Sequence, residues 1–152
     1  MKTSYLENAF FTLGVGVMMA FFPAWGADLS KYQWENRILL VFSPAPFDTG
    51  FKAFDRQLTE NAAGVEDRDL LVFRLFEGGE SRLEDQPLPA TEADKLRRRF
   101  KTEPGRVTVI LIGKDGGVKM VREGQPNLQE IFDRIDSMPM RQREMREKDQ
   151  TR

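Results

Sequence analysis

Among its 152 residues the chain has no cysteine and no histidine. Together these two absences remove every thiolate nucleophile, every disulfide, every Cys/His zinc site and every histidine-based triad. A charge excess is missing as well. Lys plus Arg number 23 and Asp plus Glu 24, a formal net of −1, so the surface as a whole has no pull on nucleic acid or anionic lipid, and no nucleic-acid partner is expected. The glycine-rich stretch at 113–117 (GKDGG) lacks the Lys-Ser/Thr ending of a phosphate loop and the Asp-x-Asp spacing of a calcium loop; it is a hairpin turn. No motif calls for a cofactor or a metal, and none is expected. What remains, 40% hydrophobic and 31% charged residues without an internal repeat, is the balance of one globular domain whose stability rests on packing.

Long apolar runs are also scarce. The main one, residues 9–22 (AFFTLGVGVMMAFF), follows Lys2 and leads into Pro23, Ala24, Trp25 and Gly26. This is the order of an export signal: small side chains at Ala24 and Gly26 suit the peptidase pockets and place the cut before Ala27. The run is shorter than the ~20 residues that span a bilayer, and Gly14, Gly16 and Pro23 weaken it as a permanent helix. Lys2 is the sole base of this leader and Glu7 offsets it, so a retained membrane anchor is the alternative. The expected organisation is a signal peptide at 1–26, one α/β domain at 27–140 and a charged extension at 141–152, in a periplasmic or secreted protein. Membrane contact follows only if the leader stays on.

Within the domain, residues 38–42 (ILLVF) read as a strand buried on both faces, ended by Pro44 and Pro46. Asp48 or Thr49 then caps a helix carrying Phe51, Phe54, Leu58 and Ala62 on one face, with Gly64 as its stop. Residues 70–76 (LLVFRLF) form the next strand, giving a β-α-β unit. Glycines, prolines and acids make 77–90 a loop. Thr91 caps a helix with Ala93, Leu96 and Phe100 inward, strands at 107–112 and 118–121 form an antiparallel hairpin, and Asn127 with Glu130 opens a last helix over Leu128, Ile131, Phe132 and Ile135. The order is β-α-β-α-β-β-α, a mixed central sheet of about four strands with helices on both faces.

That order resembles the thioredoxin-like fold. The stretch at 110–118 (ILIGKDGGV) looks like the thioredoxin hairpin and Phe42-Ser43-Pro44 like the loop opening of peroxiredoxins. Three further motifs, YQWENR at 32–37, IGKDGGVK at 112–119 and IDSMPMRQREMR at 135–146, are similar to a family of exported bacterial domains of unknown function. That family is related to peroxiredoxin-like domains of secreted animal matrix proteins, which implies adhesion or matrix roles by analogy. The redox cysteines of both parents would fall within 47–51, which here reads FDTGF. Disulfide exchange and peroxide reduction are therefore excluded by chemistry. The position of the thioredoxin cis-proline aligns with Thr108.

The resemblance implies a partner-binding corner made of Pro44, Phe47, Asp48, Thr49, Arg106 and Thr108. A helix N-terminus there favours anionic or carbonyl groups. A plainer reading stands beside it, in which Asp48 or Thr49 caps a helix and the prolines end a strand. Lys95, Arg97, Arg98, Arg99 and Lys101 form the densest basic cluster, either a polyanion patch or a face paired with nearby acids. Tyr32, Trp34 and Arg37 form either a recognition edge or a lid on the core. The expected function is an exported, non-catalytic module that binds a protein, a peptide or an envelope component. The alternatives are a non-redox enzyme using carboxylates such as Asp48 beside Arg106, and a membrane-anchored structural protein of the envelope.

Overall fold

The computed structural model describes residues 28–151; the apolar run at 9–22 and the cut before Ala27 lie outside them. Strand β1 (Arg37–Ser43) is the axis of the molecule, and all seven of its residues are buried. Strand β2 (Leu70–Phe76) pairs with it in parallel, as a β-α-β unit requires, and β5 (Thr108–Ile112) lies antiparallel on its other side. Beyond β5 the hairpin continues into β6 (Val118–Glu123). Two short strands, β3 (Arg82–Leu83) and β4 (Gln86–Pro87), extend the other edge, so the sheet order is β4-β3-β2-β1-β5-β6.

The two-residue period of β1 divides the core. Leu39 and Val41 point to one face, where Phe51, Phe54 and Leu58 of α1 (Thr49–Glu60) and Leu128, Ile131, Phe132 and Ile135 of α4 (Leu128–Asp136) cover them. Ile38, Leu40 and Phe42 point to the opposite face, against Ala93 and Leu96 of α3 (Ala90–Phe100) and Leu29 from the chain's approach. Each large apolar side chain buried this way stabilises the fold by about 1.5–3 kcal/mol. Both faces are covered by helices.

The sheet has six strands where about four were expected. The added pair comes from 77–90, whose glycines, prolines and acids read as loop. Leu83 packs on the α3-side core, the Val72 N–H donates to the Glu84 carboxylate at 2.5 Å, and the Phe76 N–H donates to Ser81 Oγ at 3.0 Å. Side chains thus complete the edge of β2 where the local composition favours turns. Gly64 does not stop the first helix. The helix breaks at Asn61 instead, and α2 (Ala62–Asp67) runs through Gly64. A Cβ at that glycine would stand 3.0 Å from the Phe132 ring, so close packing against α4 accounts for the residue. Thr91 does not cap α3, which starts at Ala90 with Pro89 in the capping position. The last helix, α5 (Pro139–Gln150), is almost wholly polar and buries one residue, Arg141.

Candidate functional site

The corner implied by the sequence lies at the C-terminal end of β1. Antiparallel pairing sets Thr108 beside Phe42, and a Cβ on Gly50 would touch Val107 at 3.5 Å, so the start of α1 sits against the start of β5. The loop after β2 supports the prolines: Gly78 N–H donates to the Pro44 carbonyl at 3.0 Å, and Gly79 leaves no room for a side chain beside Pro46. The structure therefore brings the segment 44–50 and residues 107–108 together. Asp48 caps α1, its Oδ1 accepting the Phe51 N–H at 2.9 Å. Thr49 is exposed and makes no cap. Arg106 is exposed, with ion pairs to Glu123 at 3.0 Å and Glu103 at 3.4 Å. Thr108 is buried, and its hydroxyl has no hydrogen-bond partner. Phe47 projects outward, 75% exposed.

This arrangement is poor in reactive groups. The carboxylate is occupied by a helix cap, the guanidinium by two acids, and the Thr108 hydroxyl is out of reach of solvent. The phenyl ring is the large apolar feature left for a partner, with the exposed Thr49 hydroxyl beside it.

The opposite end of the sheet, roughly 20 Å away along β1, holds an ionic cluster that sequence reasoning missed. Arg37 is 1% exposed; its guanidinium donates to both carboxylate oxygens of Glu144 at 3.1 Å and to the Arg68 carbonyl at 2.9 Å. Lys114 binds Asp69 at 2.8 Å and Glu144 at 2.9 Å. Arg141 is held by Asp67 and by Asp136 at 3.1 Å, Arg68 reaches Asp136 at 2.6 Å, and Lys148 reaches Asp67 at 2.7 Å. Hydrogen bonds from Lys148 and Arg141 draw the Asp67 carboxyl down to about 2. Burial pushes Glu144 up, but the bonds from Arg37 and Lys114 outweigh it and hold the carboxyl below its ordinary 4.5. Lys114 likewise loses to burial and gains more from Asp69 and Glu144, ending above its ordinary 10.5. The signal in the sequence was the placement of Arg141 and Glu144 three apart on one helical face.

The remaining candidates divide. On α3, Lys95 pairs with Glu92 at 2.7 Å and Arg97 with Asp94 at 3.2 Å, while Arg99 lies over the Phe100 ring, so this basic face is largely engaged within the protein. Tyr32 packs edge-on against Phe73 as a lid, Arg37 is buried, and Trp34 alone of the three stays open, 63% exposed. No group of three or more acidic side chains among the described residues could hold a metal ion, and no described helix is long and apolar enough to cross a membrane. All described peptide bonds are trans, including the one before Thr108.

Comparison with known proteins agrees with this architecture. The chain belongs to the family described as Domain of unknown function (DUF4174), which it matches over residues 28–144. It is similar to coiled-coil domain-containing protein 80 of Danio rerio, at 26% identity over 133 residues covering 77% of this chain. The chain spans 15% of that relative's length. Among solved structures it is similar in fold to the reduced 2-Cys peroxiredoxin of Plasmodium vivax, with a TM-score of 0.57 and 14% identity over 76% of this chain and 84% of that one. The fold is thus peroxiredoxin-like and thioredoxin-like, without the cysteines on which the chemistry of those proteins rests.

Proposed function

We propose that this chain is an exported, non-catalytic binding module that docks a protein or peptide segment on the corner around Phe47. The observation that carries this reading is the exposure of Phe47, 75%, beside a carboxylate and a guanidinium that already have partners within the fold. A catalytic corner needs a group free to take a proton or attack; a docking corner needs an apolar anchor on a rigid base. Support for the base comes from the capped start of α1, from the seat of Pro44 and Pro46 on 78–79, and from the close approach of Gly50 to Val107, where an added Cβ would be in contact. Export is supported by the apolar run at 9–22 and the Ala24, Gly26 spacing, and would leave a chain that begins at Ala27.

Photocrosslinking in the exporting host from a reactive residue at position 47, with mass identification of the adduct, tests the binding role. A defined envelope protein captured there, with reduced yield in Asp48→Ala, supports it. Equal capture from an unrelated exposed position such as 60 overturns it. Mass analysis of the chain recovered from the same cells tests export: a start at Ala27 is expected, and an intact residue 1 would favour the anchored protein instead.

A further inference from the structure

The three motifs at 32–37, 112–119 and 135–146 have no part in the Phe47 corner, yet the fold gathers them at the other end of the sheet. Where they meet, a cavity of about 300 Å³ opens between the β5–β6 turn and the junction of α4 with α5. A volume of that size is at the small end of the range for small-molecule sites.

Its lining combines two chemistries. Arg37, Lys114, Lys119 and Arg134 line it against a single lining carboxylate, Asp115. That carboxylate is already engaged, accepting from Lys119 Nζ at 2.6 Å and from the Gly117 N–H at 3.0 Å. Lys114 is matched by Asp69 and Glu144. Arg134 is different: its Nε donates to the Lys119 carbonyl at 3.2 Å, and it forms no ion pair with any described residue. Met138, Pro139 and Met140 supply the apolar and adaptable part of the lining.

Two further features bear on how an anion would be held. The 12-residue helix α5 begins in this lining with Met138 as its cap residue and no side-chain cap bond, so the positive end of its dipole and the first-turn backbone N–H groups after Pro139, which has none itself, add to the pull of the cations. The stem of Lys119 lies across Gly113, where a Cβ would come within 2.5 Å of Lys119 Cε, so the absent side chain leaves the lysine room in its present place.

We propose that this cavity binds a small amphipathic oxyanion. The charged head is held by Arg134, Lys119 and the start of α5, and a short apolar body lies on Met138 and Met140.

Titration of the purified chain with hexyl sulfate, followed by backbone amide chemical shifts, tests the proposal; hexanol and inorganic sulfate are titrated in parallel. The expected result is saturable shifts confined to 113–119 and 134–140. Arg134→Gln should weaken hexyl sulfate binding about tenfold, the effect of losing one charge-assisted hydrogen bond. Arg98→Gln, an exposed cation of α3, should leave it unchanged and controls for bulk charge. Hexanol and inorganic sulfate should each bind at least about tenfold more weakly than hexyl sulfate, since each lacks one half of the ligand. Unsaturable or dispersed shifts, equal binding by hexanol or sulfate, or an unaffected Arg134→Gln would overturn it.

Discussion

At the scale of single residues, the two ends of β1 are held in opposite ways, and each gives a measurable consequence. Thr108 buries a hydroxyl with no partner. Thr108→Val preserves the volume and removes the unsatisfied group, so it should stabilise the protein by about 1 kcal/mol in urea unfolding. A loss of stability would mean that the hydroxyl has a partner in solution. Arg37 is the ionic case, a buried cation with three hydrogen bonds to two groups and its Nε left without a partner. Arg37→Met should cost about 3 kcal/mol, because it strips Glu144 of its bidentate partner, and adding Glu144→Leu should restore part of that loss. A double variant as unstable as the sum of the singles would refute the pairing. The Asp48 cap was readable because its partner is three residues away. Arg37 was not, because Glu144 is 107 residues away and nothing in the local text separates a buried arginine from a solvated one.

At the scale of elements, α5 is the unusual one. Its sole buried residue is Arg141, so charge pairs rather than an apolar stripe attach it to the body. That makes its docking sensitive to acid. Asp67 faces Arg141 and Lys148, and Glu144 faces Arg37, Lys114 and Arg141; both carboxyls ionise more readily folded than their ordinary 3.8 and 4.5. A group whose folded value is depressed stabilises the fold above its unfolded value and loses that contribution as pH falls through the folded one. Amide protection in α5 should therefore decline between pH 4.5 and about 2 while α1, whose buried face is Phe51, Phe54 and Leu58, keeps its own. Equal loss in both helices would contradict this attachment. The four long strands and the amphipathic helices α1, α3 and α4 were legible because their apolar periods are strong. The β3–β4 pair was not, since its support comes from Glu84, Ser81 and Leu83 acting on β2 rather than from strand-like composition.

At the scale of the whole molecule, a peroxiredoxin-like frame carries at the C-terminal end of β1 a capped helix, a closed hydroxyl and an open phenyl ring. With no sulfur nucleophile in the chain, purified protein should show no thiol, disulfide or peroxide turnover above background. The corner was legible as a place because the strand, proline and helix order marks it. Its chemistry was legible only as an absence, since which groups are spent on internal bonds depends on partners such as Glu123 for Arg106, brought near by the β5–β6 pairing. The most direct measurement is quantitative mass spectrometry of proteins recovered with the chain after mild crosslinking in its own host, comparing the native sequence with Phe47→Ser and Arg134→Gln. The expected result is one partner lost with Phe47→Ser and retained with Arg134→Gln; identical recovery from all three chains would contradict a docking role for the Phe47 corner.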